Sequence, residues 1–155
     1  MIDPGRADRY EHLYAQLWGL IEGQSPSLVA AMATVCAVLH GELRHHWWTG
    51  FYFVAGPDEL HVGPYQGPVA CQVLRGRGVC LHCANTRQPV VVADVGRFPG
   101  HIACDPRSQS EIALPVFKDQ QVVAVFDIDS DQLAQFDEDD VSPLMRILAL
   151  LRPYL

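Results

Sequence analysis

Apolar residues recur at helical spacing between Arg6 and Glu22 (Tyr10, Leu13, Tyr14, Leu17, Leu20, Ile21), which predicts an opening helix. Ser27 stands where a hydroxyl can cap a second helix running to about Leu39. From Trp47 to Val54 aromatic and β-branched residues take over. Gly56-Pro57-Asp58 then marks a turn, and Glu59 to Val62 returns as the other arm of a hairpin. Gly63 to Pro68 reads as a loop and Val69 to Leu74 as a short strand. Gly76 and Gly78 bracket a turn, and Val79 to Thr86 form a short helix with Cys80 at its N-terminal end. Val90 to Ala93 is a buried strand, followed by a loop from Phe98 to Gln109. Two more strands, Glu111 to Phe117 and Val122 to Asp129, flank Lys118-Asp119-Gln120. An acidic start at Asp137 to Asp140 opens a last helix to Leu151, closed by Pro153. The order of elements predicts an α+β layer structure, a largely antiparallel sheet with N- and C-terminal helices packed on it.

A chain of 155 residues is expected to form one domain, 1–155, and to bury roughly two thirds of its unfolded surface without disulfide staples. No apolar run approaches a membrane span, and the first residues lack the basic flank and apolar core of a signal peptide, so a cytoplasmic location is expected. The five cysteines should then be reduced at rest and serve catalysis, metal binding or burial. A net charge of −7, with only Arg75 and Arg77 near one another in a Gly-rich turn, argues against nucleic acid as a partner.

The chemistry-bearing residues fall on loops and strand ends. Cys104 lies in FPGHIACDPRSQSE (Phe98 to Glu111), with His101 and Arg107 near enough in sequence to support a thiolate; its bland reading is a small buried hydrophobe. Asp127 and Asp129 alternate with Ile128, so both carboxylates project from one face of an otherwise apolar strand, where they are costly unless they bind something. Their crowding, with Glu111 joining, predicts a carboxyl group that holds its proton near neutral pH. The alternative is that the two aspartates merely end the strand and cap the following turn. Cys80, His82, Cys83, His101 and Cys104 are metal-ligating types, but Cys80-x-x-Cys83 has no second pair at zinc-site spacing and lacks the βαβ context of a thioredoxin-like motif. Trp48 and Tyr52 share one strand face and can line a pocket.

Trp48-x-Gly50-Phe51-Tyr52, GPYQGPVAC ending at Cys71, GRGVC ending at Cys80, DVGRFPGHIACD from Asp94, SxSE ending at Glu111 and DIDS ending at Ser130 follow one another in order. Together they closely resemble the free methionine-(R)-sulfoxide reductases, enzymes built on a GAF domain, over essentially the whole chain. The resemblance implies a GAF-like fold and thiol-dependent reduction of free methionine-R-sulfoxide without metal or organic cofactor. Cys104 would attack the sulfoxide sulfur, with Cys71 as resolving partner and Cys80 as auxiliary or alternative; the roles of Cys104 and Cys80 are open to exchange. Glu111, Asp127 and Asp129 would bind the substrate ammonium and protonate the sulfoxide oxygen, Trp48 and Tyr52 would hold the methyl-sulfur end, and thioredoxin would reduce the resulting disulfide. A homodimer through the terminal helices is compatible with such domains. Leu81-His82-Cys83 departs from the small turn expected after Cys80, and Cys83 is an added thiol. The alternatives are a GAF-type sensory module that binds a small ligand without turnover, expected to be fused to signalling domains, and a zinc-binding regulatory domain.

Overall fold

The structure is a computed structural model and describes residues 4–101 and 105–155; Cys104 therefore lies outside the described residues. Helix α1 spans Pro4–Ile21 and α2 spans Leu28–Glu42. The Ser27 hydroxyl accepts the Ala30 N–H at 3.2 Å, the cap anticipated from sequence. Strands β1 (His46–Gly56), β2 (Glu59–Gln66) and β3 (Val73–Arg75) are followed by helix α3 (Val79–Thr86), β4 (Val90–Val92), β5 (Ser110–Lys118) and β6 (Gln121–Ser130). Helix α4 (Val141–Leu148) comes last, entered and left through 3-10 turns. The six strands form one sheet in the order β3-β2-β1-β6-β5-β4, every neighbouring pair antiparallel.

Three predicted boundaries are corrected. Gly63 to Gln66 is strand rather than loop: β1 pairs Gly50 with Tyr65 and Tyr52 with Val62, so Gly63 and Pro64 face the single residue Phe51 in a bulge. A bulge tolerates proline because the ladder is interrupted there and a missing N–H costs nothing. The strand expected from Val69 is confined to Val73–Arg75. Residues 69–72 are instead a loop, tied back by the Val62 N–H on the Gln72 carbonyl and the Tyr52 hydroxyl on the Cys71 carbonyl. Pro153 does not close the last helix but sits within the 3-10 segment Ala149–Tyr154, which needs fewer of the N–H bonds that proline removes.

Strand alternation divides the interior into two cores. Phe51, Ile112, Leu114, Val116, Ala124, Phe126 and Ile128 point to one face, where α1, α2 and α4 cover them. Phe51 and Phe126 meet there with ring centroids 4.7 Å apart. The opposite face carries Trp48, Tyr52, Ala113 and Val125 and is covered by α3 and its flanking loops. Tyr10 and Arg6 of α1 bind Asp140, and Arg6 also binds Asp137, which anchors the acidic entry to α4 against the first helix. No helix among the described residues is long and apolar enough to cross a membrane.

Candidate active site

Antiparallel register places the acidic residues in a compact row. Trp48 of β1 is opposite Asp129 of β6, which is opposite Glu111 of β5; one step along, Gly50 is opposite Asp127. Because the intervening Thr49, Ile128 and Ile112 face the other way, Trp48, Glu111, Asp127 and Asp129 share the α3 face of the sheet. Tyr52, Cys80 and His101 join them in lining one cleft, whose outer wall includes Pro68, Val69, Ala70 and Arg77.

Gly50 makes this arrangement possible. A Cβ there would lie 2.4 Å from the Trp48 ring and 2.4 Å from the Tyr65 Cβ, so only glycine lets the indole lie flat across the strand. The indole stacks between Tyr52 and Tyr65, with centroids 5.6 and 5.3 Å away. The Trp48 indole N–H has no partner among the described residues. Tyr52 spends its hydroxyl on the Cys71 carbonyl at 3.0 Å, so besides lining the cleft it fixes the loop that carries that cysteine.

Glu111 and Asp127 are 5% and 4% exposed, and no described cation compensates them closely. The nearest approach is His101 Nδ1, 3.9 Å from Glu111 Oε2, and burial lowers that imidazole's pKa. Burial first, and the Asp129 charge second, push Glu111 up to about 8. Asp127 is held well above the usual carboxylate range by burial and by Glu111, and Asp129 by burial and by Asp127. The three carboxyl groups that the sequence brought under suspicion thus lie in one buried cluster. The Ser108 hydroxyl donates to Asp129 Oδ1 at 2.7 Å and opposes the shift there, whereas Asp127 Oδ1 is buried without a partner among the described residues.

Cys80 does occupy the first turn of α3, which Gly78 enters at a φ of 119° that suits glycine. The helix terminus does not make it a thiolate. Its Sγ is buried 3.7 Å from Glu111 Oε1, and burial together with Asp127, Glu111 and Asp129 drives its pKa well above normal. Leu81 lies within the helix and is buried, so no left-handed turn follows Cys80. Cys83 is also buried, and burial, Asp127 and Glu111 raise its pKa. Cys36, Cys80 and Cys83 are free thiols, while Cys71 is disulfide-bonded.

The metal-ligating set anticipated from sequence is only partly assembled. His82 is exposed and packs its ring against Phe98, and of that set only Cys80 enters a described group at metal-site spacing, where its Sγ and oxygens of Glu111 and Asp127, which the set did not include, lie within 4.8 Å of one another. Arg107, the other proposed neighbour of Cys104, forks onto Asp105 and lies 4.2 Å above the Trp47 ring. Trp47 donates to Asp105 as well, so the chain just after Cys104 is fastened to β1. Tyr65 and Ser108 were not singled out from sequence. Extending the β1 alternation across the hairpin would have found Tyr65 opposite Gly50, but nothing local marks Ser108 as Asp129's donor.

The antiparallel six-stranded sheet, with α1, α2 and α4 on one face and an acidic cleft beside α3 on the other, is that of a GAF domain, and residues 26–152 match the GAF domain family. The chain is 43% identical over 147 residues to GAF domain-containing protein A of Dictyostelium discoideum, covering 94% of this chain and 92% of that one. It is 36% identical over 151 residues to free methionine-R-sulfoxide reductase of Escherichia coli, covering 97% and 90%. The X-ray structure of free methionine-R-sulfoxide reductase from Neisseria meningitidis in complex with its substrate has 38% identity and a TM-score of 0.91, covering 99% and 91%. The chain belongs to the free methionine-R-sulfoxide reductase family.

Proposed function

We propose that this protein reduces free methionine-R-sulfoxide to methionine, with Cys104 as the attacking thiol. The observation that carries the reading is the buried cluster of Glu111, Asp127 and Asp129 lining a cleft, where burial and mutual repulsion raise all three carboxyl groups above their ordinary range, Glu111 to about 8. Reducing a sulfoxide requires a proton on the departing oxygen while a thiolate bonds to sulfur. A carboxyl group with a pKa near the working pH is suited to donate it. The Cys104 sulfur forms a bond to the sulfoxide sulfur, oxygen passes to Cys104, methionine leaves and the cysteine is left as a sulfenic acid. The Cys71 thiol then displaces water from it to give a disulfide. That Cys71 is disulfide-bonded while Cys36, Cys80 and Cys83 are free supports Cys71 over Cys80 as resolving partner. Thioredoxin returns both cysteines to thiols by disulfide exchange.

Free rather than peptide methionine sulfoxide accounts for the remaining cleft groups. Its ammonium pairs with an ionised member of the cluster, and the Trp48 N–H, without a partner among the described residues, donates to an acceptor oxygen of the substrate. Trp48 and Tyr52 flank the methyl-sulfur end. A peptide-bonded residue has no ammonium and leaves that carboxylate uncompensated, a loss that favours the free amino acid.

The test is NADPH oxidation with thioredoxin and thioredoxin reductase, supplied with the R or S epimer of free methionine sulfoxide. Turnover of R alone, abolished in Cys104→Ser, is expected. Saturable binding of the R epimer to wild type without turnover would instead make the protein a sensory module.

A further inference from the structure

We propose that the cleft is also a site for a thiophilic divalent cation such as zinc, held by Cys80 Sγ, Glu111 and Asp127, and that the cation and the sulfoxide exclude one another. These three donors come from α3, β5 and β6, elements locked together by the sheet and by packing, so the site needs no refolding to form. Zinc bonds of about 2.3 Å to sulfur and about 2.1 Å to oxygen, at tetrahedral angles, place sulfur and oxygen ligands about 3.6 Å apart. Cys80 Sγ and Glu111 Oε1 are 3.7 Å apart, and all three ligand atoms fall within 4.8 Å of one another. The second observation is Asp127 Oδ1, an atom of a side chain only 4% exposed that lines the cleft and has no hydrogen-bond partner among the described residues. His101, with Nδ1 3.9 Å from Glu111 Oε2, is placed to complete a fourth position, as is water.

The chemistry agrees with the geometry. Burying three carboxyl groups beside a thiol is costly for any anion, and a cation relieves that repulsion more completely than a monovalent ammonium does. Binding expels to solvent the Cys80 thiol proton and the protons that Glu111 and Asp127 hold, as the sulfur and one oxygen of each carboxylate bond the metal. Soft sulfur with two oxygens selects zinc or cobalt over magnesium or calcium, which take oxygen ligands in larger number. Since Cys80 is free while Cys71 is disulfide-bonded, the oxidised protein retains the site. The metal site itself does not rest on the reductase reading; only its inhibitory consequence does.

Cobalt(II) is the probe. Added to metal-free protein reduced with a phosphine, it should bind once per chain with a thiolate-to-cobalt charge-transfer band that one equivalent of zinc bleaches. Cys80→Ser should remove the band, Cys83→Ser should keep it, and Asp127→Asn, which retains the thiol and the shape of the site, should weaken binding by about tenfold or more. Zinc should raise the apparent KM for the sulfoxide without changing kcat. A colourless wild type that turns over the sulfoxide would overturn the metal site and leave the reductase standing. A Cys80-dependent band in a protein that never turns over would do the reverse. A band that survives in Cys80→Ser places the metal on other thiols and overturns the proposal.

Discussion

The same three strands present two faces that obey opposite rules. Toward α1, α2 and α4, β1, β5 and β6 offer Phe51, Ile112, Leu114, Phe126 and Ile128, all fully buried against other apolar groups. Toward α3, the alternate positions of the same strands offer Trp48, Glu111, Asp127 and Asp129, with an indole N–H and a carboxylate oxygen that find no partner among the described residues. Both faces bury most of their side-chain surface, but only the first gains stability by doing so. The second holds polar groups whose burial is unfavourable unless each finds a partner. A one-residue register slip would exchange the two faces. The strength with which the apolar face fixes the register is therefore what keeps the carboxylates aimed at the cleft.

If that division holds, the largest stability loss comes from the apolar face. Phe126→Ala removes a ring packed at a tilt against Phe51 in a packed core and should cost about 3–5 kcal/mol by denaturant unfolding. A much smaller cost would mean that the helix layer collapses onto the cavity and that the two faces are less distinct than their packing suggests.

Next in size is an effect on chemistry alone. Glu111→Gln keeps the shape of the side chain but deletes its exchangeable acid proton, and should lower kcat/KM for the R-sulfoxide by about 10²- to 10⁴-fold. Its unfolding free energy should stay within about 1 kcal/mol of wild type or rise, because a strained buried acid has been removed. Comparable losses in stability and activity would show that the acid face is structural.

The third effect is a pH dependence of opposite sign to that of an ordinary salt-bridged carboxylate. Glu111 titrates near 8 in the folded chain and near 4.5 when unfolded, so between those values the native state binds the extra proton. Stability from this group is present at low pH and is lost as pH rises through about 8. Taking the pH from 8 to 6.5 should raise stability on the order of 1–2 kcal/mol, a Tm gain of a few degrees, and Glu111→Gln should reduce it. Below that window buried His46, held near 4 by burial, works in the other direction as the unfolded chain takes up its proton.

What could be foreseen from sequence follows the range of the interactions. The Ser27 cap, the Asp127–Ile128–Asp129 alternation and the placement of Cys80 in the first turn of α3 depend on residues a few positions apart, and all three appear in the structure. The Gly63–Pro64 bulge looked like a loop because its continuity is imposed by β1, not by its own composition. Cys80 could be placed on a helix but not into a nest of carboxylates that reach it from β5 and β6. Trp48 stacking on Tyr65 and Ser108 bonding Asp129 likewise arise only when the sheet closes. The resemblance supplied roles for the carboxylates that local pattern alone left open.

The smallest effects make the sharpest comparison, because the same atom can be removed on either face. Ser27→Ala deletes a cap on the helix layer and should cost about 1 kcal/mol with no change in the pH profile of turnover. Ser108→Ala also deletes one hydroxyl, but this one donates to Asp129 and holds that group's pKa down against burial. Without it Asp129 should keep its proton to higher pH, and the limbs of the pH–rate profile that the cluster sets should move to higher pH together, with a stability change no larger than that of Ser27→Ala. The two variants thus differ in kind while matching in size. A shifted profile in Ser27→Ala, or an unshifted one in Ser108→Ala, would mean that the proton needed for sulfoxide reduction is not held by this cluster.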